Sequence, residues 1–390
     1  MDGLRGVAAA AVVVCHVVIA DGRAGAIYEL ENTGQLTLFE QIMHYSPARI
    51  LWAGSEAVVV FYVLSGFVLA LPFARNHGQP WRYFYPRRLL RLYLPAIASL
   101  VFAYLTTLAV TRSVLPDAGL WLNEHAEKPN GLLQVLLGSS LMAGWGGLNT
   151  SLWSLRWEVI FSLLLPLFLL FAVRFKRLLW LKVASVIAFC ILWRLAGVFY
   201  PDLVYISVFA LGVLMAYNTD LLRDWAQRVP AWGWIPALVV SAVLITNSWL
   251  IAGIDPNSPL RAGWIGPAAA GAVILVFVVA HWAPAVRLLS STAVRWLGTI
   301  SFSLYLTQEP VVVALGFLTH GQSPLWLQLP LVAVVSLLIG WLFYLGVERP
   351  SHRVARRFGL ARQQREEADL ARKSTPATVQ QTQGDLTGTS

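Results

Sequence analysis

Residues 2–16 read DGLRGVAAAAVVVCH, an apolar stretch with Arg5 near its start and His16 at its end. The stretch predicts a membrane helix. At about 1.5 Å of rise per helical residue, the imidazole lies roughly 16 Å beyond the arginine, about halfway through an apolar slab about 30 Å thick. An ionisable side chain at that depth is by default a candidate for function.

The composition indicates a membrane protein with several spans. Of the 390 residues, 57% are hydrophobic and 13% are charged, against about 25% charged residues in an ordinary soluble domain. The first apolar run has no basic segment before it and no small-residue cleavage site after it, so we expect a retained helix and not a removed signal. Cys15 and Cys190 both lie in apolar runs without metal-ligand spacing, and no metal site is expected.

The apolar runs predict an all-α, polytopic fold of about ten transmembrane helices. A window of about 19 residues places the spans at 5–20, 51–73, 92–110, 150–173, 179–199, 203–217, 234–253, 263–281, 299–319 and 325–347. The N-terminal end, alternate connections and the C-terminal tail carry most of the Lys and Arg residues, which predicts that both termini are cytoplasmic. The net charge of +9 follows from this topology, so no nucleic-acid partner is expected.

Two regions of the chain depart from the spanning pattern. The segment 132–146 is apolar but short and Gly-rich, and we interpret it as re-entrant or interfacial. From about Ser351 the chain becomes basic and then Ser/Thr/Gln-rich. The sequence therefore predicts a membrane domain over 1–350 and a disordered cytoplasmic tail over 351–390.

Ionisable residues inside the predicted spans are few, and each costs at least about 2.5 to 3.5 kcal/mol at mid-helix. His16 and Glu158 lie at similar predicted depths, which favours a base and its orienting carboxylate. A neutral imidazole bonded to a backbone carbonyl is the alternative for His16, and a salt bridge to Arg5 or Arg194 is the alternative for Glu158. The full set is His16, Glu56, Arg156, Glu158, Arg194 and Glu309.

Arg88 and Arg91 open the third span in RRLLRLYLP. Because they are three residues apart, they share a helix face and can bind phosphate together; anchoring to anionic lipid headgroups is the alternative. Small polar residues also occur inside spans, Ser65 in FYVLSGFVLA and Ser303 and Tyr305 in SFSLYLTQEP. They indicate either close helix packing or the lining of a cavity.

Taken in order, DGLRG, VFYVLSGFVLA, RRLLRLYLP, SLWSLRWEVIF, ISFSLYLTQEP and VERP resemble the membrane-bound acyltransferase-3 family, the ten-helix O-acyltransferases of bacterial envelopes and of some antibiotic pathways. The resemblance implies transfer of an acyl group, with acetyl as the default, from cytoplasmic acyl-CoA to a hydroxyl, usually of a sugar. It also implies a multi-pass location in the bacterial inner membrane.

The resemblance implies roles for individual residues. His16 matches the family's essential histidine, Arg5 its partner arginine, and Arg88 and Arg91 its Arg-x-x-Arg pair. Glu158 matches the glutamate of the Trp-Ser-Leu-x-x-Glu string. Where the family often has a histidine before the proline of the Ser-Tyr-Ser-Leu-Tyr-Leu string, this chain has Gln308, which hydrogen-bonds but takes no proton.

These residues lead to one expected mechanism. The phosphates of CoA bind Arg88 and Arg91, and the thioester reaches His16, a general base steadied by Glu158 or Asp2. Direct transfer to the acceptor and transfer through a covalent acyl-histidine both stay open from the sequence. Acyl-CoA is a co-substrate, and no permanently bound cofactor is expected; the other partners are the bilayer and a glycan acceptor. Acceptor contacts are expected in the loop 21–49, and the pocket residues are Ser65, Ser303, Tyr305 and Gln308.

Three other functions stay open from the sequence. The acceptor can be a small molecule of the macrolide type in place of a glycan. A transporter would also use buried His/Glu pairs, but it should show an internal repeat, and DGLRG, RRLLR and WSLRWE have no counterpart after residue 200. A structural or sensory membrane protein would need no acyl donor.

Overall fold

The computed structural model describes residues 1–31, 34–127, 131–142, 147–197, 200–321 and 323–357. Across these ranges the regular structure is helical, and the sole β feature is an isolated bridge between Asp21 and Ala118. The predicted all-α class is therefore confirmed.

The described ranges contain seventeen α-helices. They are α1 (Asp2–Ala20), α2 (Gly22–Tyr28), α3 (Leu38–Tyr45), α4 (Gly54–Ala74), α5 (Trp81–Ala109), α6 (Leu120–Glu127), α7 (Leu132–Ser139), α8 (Trp153–Val173), α9 (Leu179–Leu195), α10 (Val204–Tyr217), α11 (Thr219–Arg228), α12 (Trp234–Ile245), α13 (Asn247–Ala252), α14 (Ile265–His281), α15 (Ala283–Leu289), α16 (Thr292–Leu318) and α17 (Leu325–Phe343). Short 3₁₀ turns precede several of them, including Pro47–Trp52 before α4 and Thr150–Leu152 before α8.

Each of the ten predicted spans falls on a helix or a pair of helices. Within the described residues, seven helices are long and apolar enough to cross a membrane, or nine if each bent pair is one span. The bent pairs are α10 with α11, at 76°, and α14 with α15, at 87°. The predicted span 234–253 is divided at Thr246 into α12 and α13. A polytopic membrane fold fits these helices, while the count of ten and the side of the termini stay predictions.

The centre of the bundle consists of α1, α4, α10 and α16. Helix α1 packs along α16 through glycines: a Cβ atom on Gly6 would lie 2.6 Å from the backbone nitrogen of Gly298. Helices α4 and α10 approach equally closely, because a Cβ on Gly212 would lie 2.0 Å from the carbonyl oxygen of Val63. Small residues therefore bring these helix axes together, as is usual in membrane bundles.

The outer helices present apolar side chains to their surroundings. Trp180 on α9 is 62% exposed, and Val334 on α17 is 64% exposed. A soluble protein seldom exposes continuous apolar faces of this kind. Such faces are what the hydrocarbon of a bilayer covers.

The last helix is longer than the sequence predicts. It continues from α17 through a π-helical turn to Arg357, so 351–357 are helical and not part of a disordered tail. The remainder of the predicted tail, 358–390, lies outside the described residues. The helix continues because Val354 and Ala355 keep apolar positions within the basic sequence, and Ala355 is buried.

Short helices close one end of the bundle. We call this the capped end; it comprises α2, α3, α6, α13 and the 3₁₀ turn Pro47–Trp52. Arg49 lies at its centre, with its guanidinium 3.8 Å from the ring centroid of Trp52 and 3.4 Å from that of Trp249. Trp249 Nε1 donates to Glu56 at 2.8 Å. Cation–π contacts therefore join the turn to α13, and the hydrogen bond of Trp249 joins α13 to the start of α4. The opposite end, where α1 begins, we call the basic end.

Candidate active site

Three cavities follow one another through the centre of the bundle. The first, the arginine cavity, has a volume of about 250 Å³ and contains Arg5, Arg88 and Arg91 at the basic end. The second, the passage, is only about 40 Å³ and is lined by residues such as Tyr62 and Ser65. The third, the His16 cavity, is about 270 Å³.

Shared lining residues connect the three cavities. Arg5 and Glu158 line both the arginine cavity and the passage. Val58 and Tyr305 line both the passage and the His16 cavity. The three cavities therefore adjoin one another between the arginines and His16, and we call this series the route; its narrow segment is the passage.

Helical periodicity explains how these side chains come to face one route. Residues three or four apart lie on the same side of a helix, and each of four helical segments presents one such row. The rows are Arg5, Val12, His16 and Ile19 on α1; Ser55, Val58, Phe61 and Ser65 on α4; Ser151, Ser154 and Glu158 on the turn before α8 and on α8; and Gly298, Ser301 and Tyr305 on α16.

The arginine cavity has one charge pair at its inner wall. Arg88 donates to Glu158 Oε1, which also accepts a hydrogen bond from Ser65 Oγ at 3.0 Å. The Nε of Arg88 donates to Ser162 Oγ at 3.2 Å. Arg88 is thereby held in place, while the guanidinium of Arg91 lines the same cavity. Paired arginines at such a site can bind phosphate oxygens with charge-assisted hydrogen bonds.

Glu348 forms another wall of the arginine cavity. It accepts hydrogen bonds from the backbone nitrogen of Ser303 at 3.1 Å and from its hydroxyl at 2.6 Å. Ser303, predicted to line the substrate pocket, instead holds this carboxylate and lines none of the three cavities. The sequence does not reveal this contact because α16 meets the turn after α17 only in the folded chain.

The His16 ring has two side-chain partners: one bonds to a ring nitrogen and the other stacks on the face of the ring. Its Nδ1 lies 2.8 Å from Gln308 Oε1, and its ring stacks on Trp121 with centroids 4.8 Å apart. Gln308 Nε2 donates to Ser151 Oγ at 3.0 Å, and Ser151 Oγ donates to Glu309 Oε2 at 2.7 Å. A carboxylate only accepts, so the proton of the imidazole sits on Nδ1 and donates to Gln308. The lone pair on Nε2 is then available as a base.

Glu309 anchors this chain of hydrogen bonds. It also accepts from the backbone nitrogens of Thr150, at 2.6 Å, and Ser151, at 2.7 Å, and its Oε1 lies 3.2 Å from His125 Nε2. His125 Nδ1 lies 2.8 Å from the carbonyl oxygen of Trp121, so both ring nitrogens of His125 face acceptors. Glu309 therefore accepts hydrogen bonds from both the backbone and the hydroxyl of Ser151 and fixes the position of that residue.

The structure does not bring His16 to either of its expected carboxylate partners. Glu158 lies across the passage, where it pairs with Arg88. Asp2 lies fourteen residues before His16 on α1, or about 21 Å along the helix, at the arginine cavity. Glu158 forms a salt bridge, but its partner is Arg88 and neither of the two arginines expected, Arg5 or Arg194. Arg194 lies 3.8 Å from Asp202.

The other predicted pocket residues occupy different parts of the route. Ser65 lines the passage. Tyr305 lies at the boundary of the passage, where its hydroxyl donates to the carbonyl oxygen of Ser151 at 2.8 Å and lies 2.7 Å from Ser154 Oγ. Gln308 is the direct partner of His16. Hydrogen bonding was the one role open to an amide at this position.

Three residues of the site were not singled out from the sequence: Trp121, His125 and Ser151. Trp121 and His125 come from α6, a short helix of the capped end without the hydropathy of a span. The signal that could have found them is the spacing of four between two ring-bearing side chains, which places both on one helix face. Ser151 lies two residues before Trp153, where the Trp-Ser-Leu string begins, but a serine at that position has no distinctive pattern.

The predicted acceptor loop contributes two residues to the mouth of the His16 cavity, Tyr28 and Glu29. Burial, with the carboxylates of Glu124 and Glu31 nearby, raises the pKa of Glu29. Glu40 lies apart from the cavity, and its hydrogen bonds to Arg23 hold the pKa of Glu40 at about 2.

His44, which also belongs to the loop 21–49 expected to contact the acceptor, packs inside the capped end. Its ring centroid lies 4.7 Å from that of Trp52. Burial lowers the pKa of His44 to about 4. Residues 32–33 of the loop lie outside the described ranges.

Within the described residues, no three His, Cys, Asp or Glu side chains are grouped so that they could bind a metal ion.

Comparisons with known proteins identify one family and two relatives. A family model described as "Acyltransferase domain" matches residues 1–345. The protein named "Acyltransferase MdmB" from Streptomyces mycarofaciens is 27% identical over 274 residues, which cover 68% of this chain and 62% of that protein. The "Regulator of hypoxia-inducible factor 1" of Caenorhabditis elegans is 24% identical over 390 residues, covering 84% of this chain and 75% of that protein. No solved structure matches.

Proposed function

The chain belongs to the acyltransferase family whose model matches residues 1–345, and we propose that it is a membrane O-acyltransferase that uses acyl-CoA, with acetyl-CoA as the default donor. The acceptor is a hydroxyl of a sugar or glycan of the cell envelope, and the enzyme lies in the bacterial inner membrane with both termini in the cytoplasm. The observation that carries the proposal is the route of three cavities from the arginines to His16.

The donor binds at the basic end. Its phosphates contact Arg88 and Arg91, supported by Arg5, because guanidinium groups in one cavity match clustered phosphate oxygens. The arginine cavity, at about 250 Å³, is too small for a whole nucleotide and its phosphates together. The adenosine therefore stays outside, and the flexible pantetheine arm extends through the passage toward His16.

The chemical step takes place in the His16 cavity. His16 Nε2 takes the proton from the acceptor hydroxyl as its oxygen attacks the thioester carbonyl. The carbon–sulfur bond breaks, and the CoA sulfur takes the proton from His16, so the products are the ester and the free thiol of CoA. General base catalysis of this kind contributes about 10²- to 10⁴-fold. Gln308, Ser151 and Glu309 keep the imidazole in the required tautomer.

The acceptor reaches His16 from the capped end. Tyr28, Trp121 and Trp153 give the His16 cavity aromatic walls, and Glu29 and Ser55 supply polar atoms. Aromatic faces with a few hydrogen-bonding groups suit the ring and hydroxyls of a sugar.

Variants at the two ends of the route should affect acetyl-CoA binding and acyl transfer separately. We expect that changing Arg88 and Arg91 together to Ala reduces binding of radiolabelled acetyl-CoA to the purified protein in nanodiscs by at least about tenfold, because a lost charge-assisted hydrogen bond costs about 1.5 to 3 kcal/mol. Arg87→Ala is the matched control, since Arg87 lies on the same helix but bonds to Gln79 outside the cavity. Equal loss in both variants would contradict the donor site.

His16→Ala should retain acetyl-CoA binding and lose acyl transfer, because the general base is gone while the arginine cavity is intact. The measurement is incorporation of labelled acetyl into envelope glycans, with a macrolide-type small molecule as a second acceptor arm. Transfer at the normal rate by His16→Ala would refute the proposed base. Labelling of glycans without labelling of the small molecule supports the glycan acceptor. Labelling of the small molecule alone would replace the glycan with a small-molecule acceptor.

A further inference from the structure

The junction between the passage and the His16 cavity is formed by Val58 and Tyr305. We propose that these two residues set the size of the acyl group that reaches His16, and that Val58 is the adjustable member of the pair. This inference rests on the proposed function, because it concerns the donor of that reaction. It identifies the donor class as CoA thioesters of short acyl chains.

Tyr305 forms the fixed side of the junction. Its hydroxyl donates to the carbonyl oxygen of Ser151 and contacts Ser154 Oγ, and its ring meets Phe61 edge-on at 6.0 Å. A ring with both its hydroxyl and its edge engaged cannot turn aside without breaking buried hydrogen bonds. Tyr305 therefore defines one wall of constant position.

Val58 is the other residue that lines both the passage and the His16 cavity. It lies on α4 between Ser55 and Phe61, is 4% exposed, and carries no polar atom in its side chain. Valine is restricted to few χ1 rotamers in a helix, so its two methyl groups also hold a definite position. The space between Val58 and Tyr305 consequently depends on the volume of the residue at position 58.

Beyond the junction, α1 supplies an apolar surface for the acyl chain. Val12, Cys15 and Ile19 line the His16 cavity beside the imidazole. The carbonyl of a bound thioester faces His16, while the acyl carbons lie against this surface and against Val58 and Tyr305, which line the same cavity. The passage, at about 40 Å³, is far smaller than the cavities on either side, so the cavity narrows at these two residues and added acyl carbons press against them.

Competition binding tests the inference without an acceptor. Unlabelled acetyl-, butanoyl- and hexanoyl-CoA compete with radiolabelled acetyl-CoA for the purified protein in nanodiscs. We expect Val58→Ala to raise the ratio of hexanoyl-CoA affinity to acetyl-CoA affinity by about tenfold or more, since each buried methylene is worth about fourfold in affinity. Val58→Ile, which adds one methylene, should lower the ratio of butanoyl-CoA affinity to acetyl-CoA affinity.

Val60→Ala is the matched control, because Val60 has the same 4% exposure on the same helix and lines none of the three cavities. If Val58→Ala and Val60→Ala give the same ratio of hexanoyl- to acetyl-CoA affinity, the inference is overturned. If Val58→Ala fails to fold, the more conservative Val58→Ile decides, and an unchanged butanoyl ratio overturns it as well. If the wild-type protein binds no acyl-CoA, the proposed function fails first.

Discussion

At the scale of single residues, the site depends on how one imidazole is oriented within an apolar bundle. His16 is useful as a base only if its proton sits on Nδ1, and Gln308 enforces this by presenting an acceptor 2.8 Å away. Gln308 can present its oxygen because its nitrogen is occupied by Ser151, which is in turn held by Glu309. The order of donors follows from the carboxylate at the end of the chain, which can only accept.

Gln308→Leu should lower acyl transfer by about 10²-fold, because a misplaced base costs about that much, while acetyl-CoA binding stays within twofold of wild type. The control is Thr307→Val, at the residue just before Gln308 on α16. This change removes a buried hydroxyl that donates to the carbonyl oxygen of Ser303. Transfer and binding are measured side by side in nanodiscs. Loss of binding in Gln308→Leu would argue against an orienting role.

At the scale of elements, the site depends on close contact between α1 and α16. Glycines remove the side chains that would keep the helices apart, and Gly6 meets Gly298 at the end where Arg5 lies. The same contact, ten residues further along α1, brings His16 to Gln308. Packing of small residues and the geometry of the base are therefore one structural feature.

Gly6→Val should lower the unfolding temperature and also reduce acyl transfer, since its Cβ would lie 2.6 Å from the Gly298 backbone nitrogen. Overpacking of this kind typically costs about 1 to 3 kcal/mol. Val7→Leu, at the neighbouring and 45% exposed position, is the control for added volume on α1. The two variants are compared by thermal unfolding in detergent, and equal unfolding temperatures would disprove the close contact.

The capped end should lose stability in mild acid. The pKa of His44 is lowered to about 4 by burial, so between about pH 6.5 and pH 4 the unfolded chain binds a proton that the folded chain does not. The unfolding temperature should therefore fall as the pH decreases through this window. We expect the unfolding temperature of His44→Phe to fall less between pH 7.5 and pH 5 than that of the wild-type protein. An equal fall in both proteins would assign the effect to other groups.

At the scale of the whole molecule, the route joins two chemically different ends. Arginines line the cavity at the basic end, whereas aromatic rings and a carboxylate line the His16 cavity. Under the proposed function, a membrane between the two ends would keep donor and acceptor apart until they meet at His16. The arrangement gives a physical reason for an acyltransferase to be built from spanning helices.

Cysteine labelling tests which end faces the cytoplasm. We introduce Arg356→Cys at the basic end and Ile254→Cys, at a 90% exposed position, at the capped end; the native Cys15 and Cys190 are buried. A membrane-impermeant maleimide added to right-side-out vesicles should label only the second variant, because positive charges favour the cytoplasm. Labelling of Arg356→Cys in those vesicles would reverse the orientation.

The sequence by itself determined the helical elements and the place of several candidate site residues along them. Hydropathy is a local property, so the ten apolar windows fall on helices, and the spacing of Arg88 and Arg91 places both on one face of α5. Only the tertiary structure decided which side chains meet across helices. Periodicity gives the face of each helix but not the neighbour it turns toward, so Glu158 and Gln308 were equally placed to reach His16. The close packing of α1 on α16 selected Gln308, and α6, which has no span-like pattern, added His125 and Trp121.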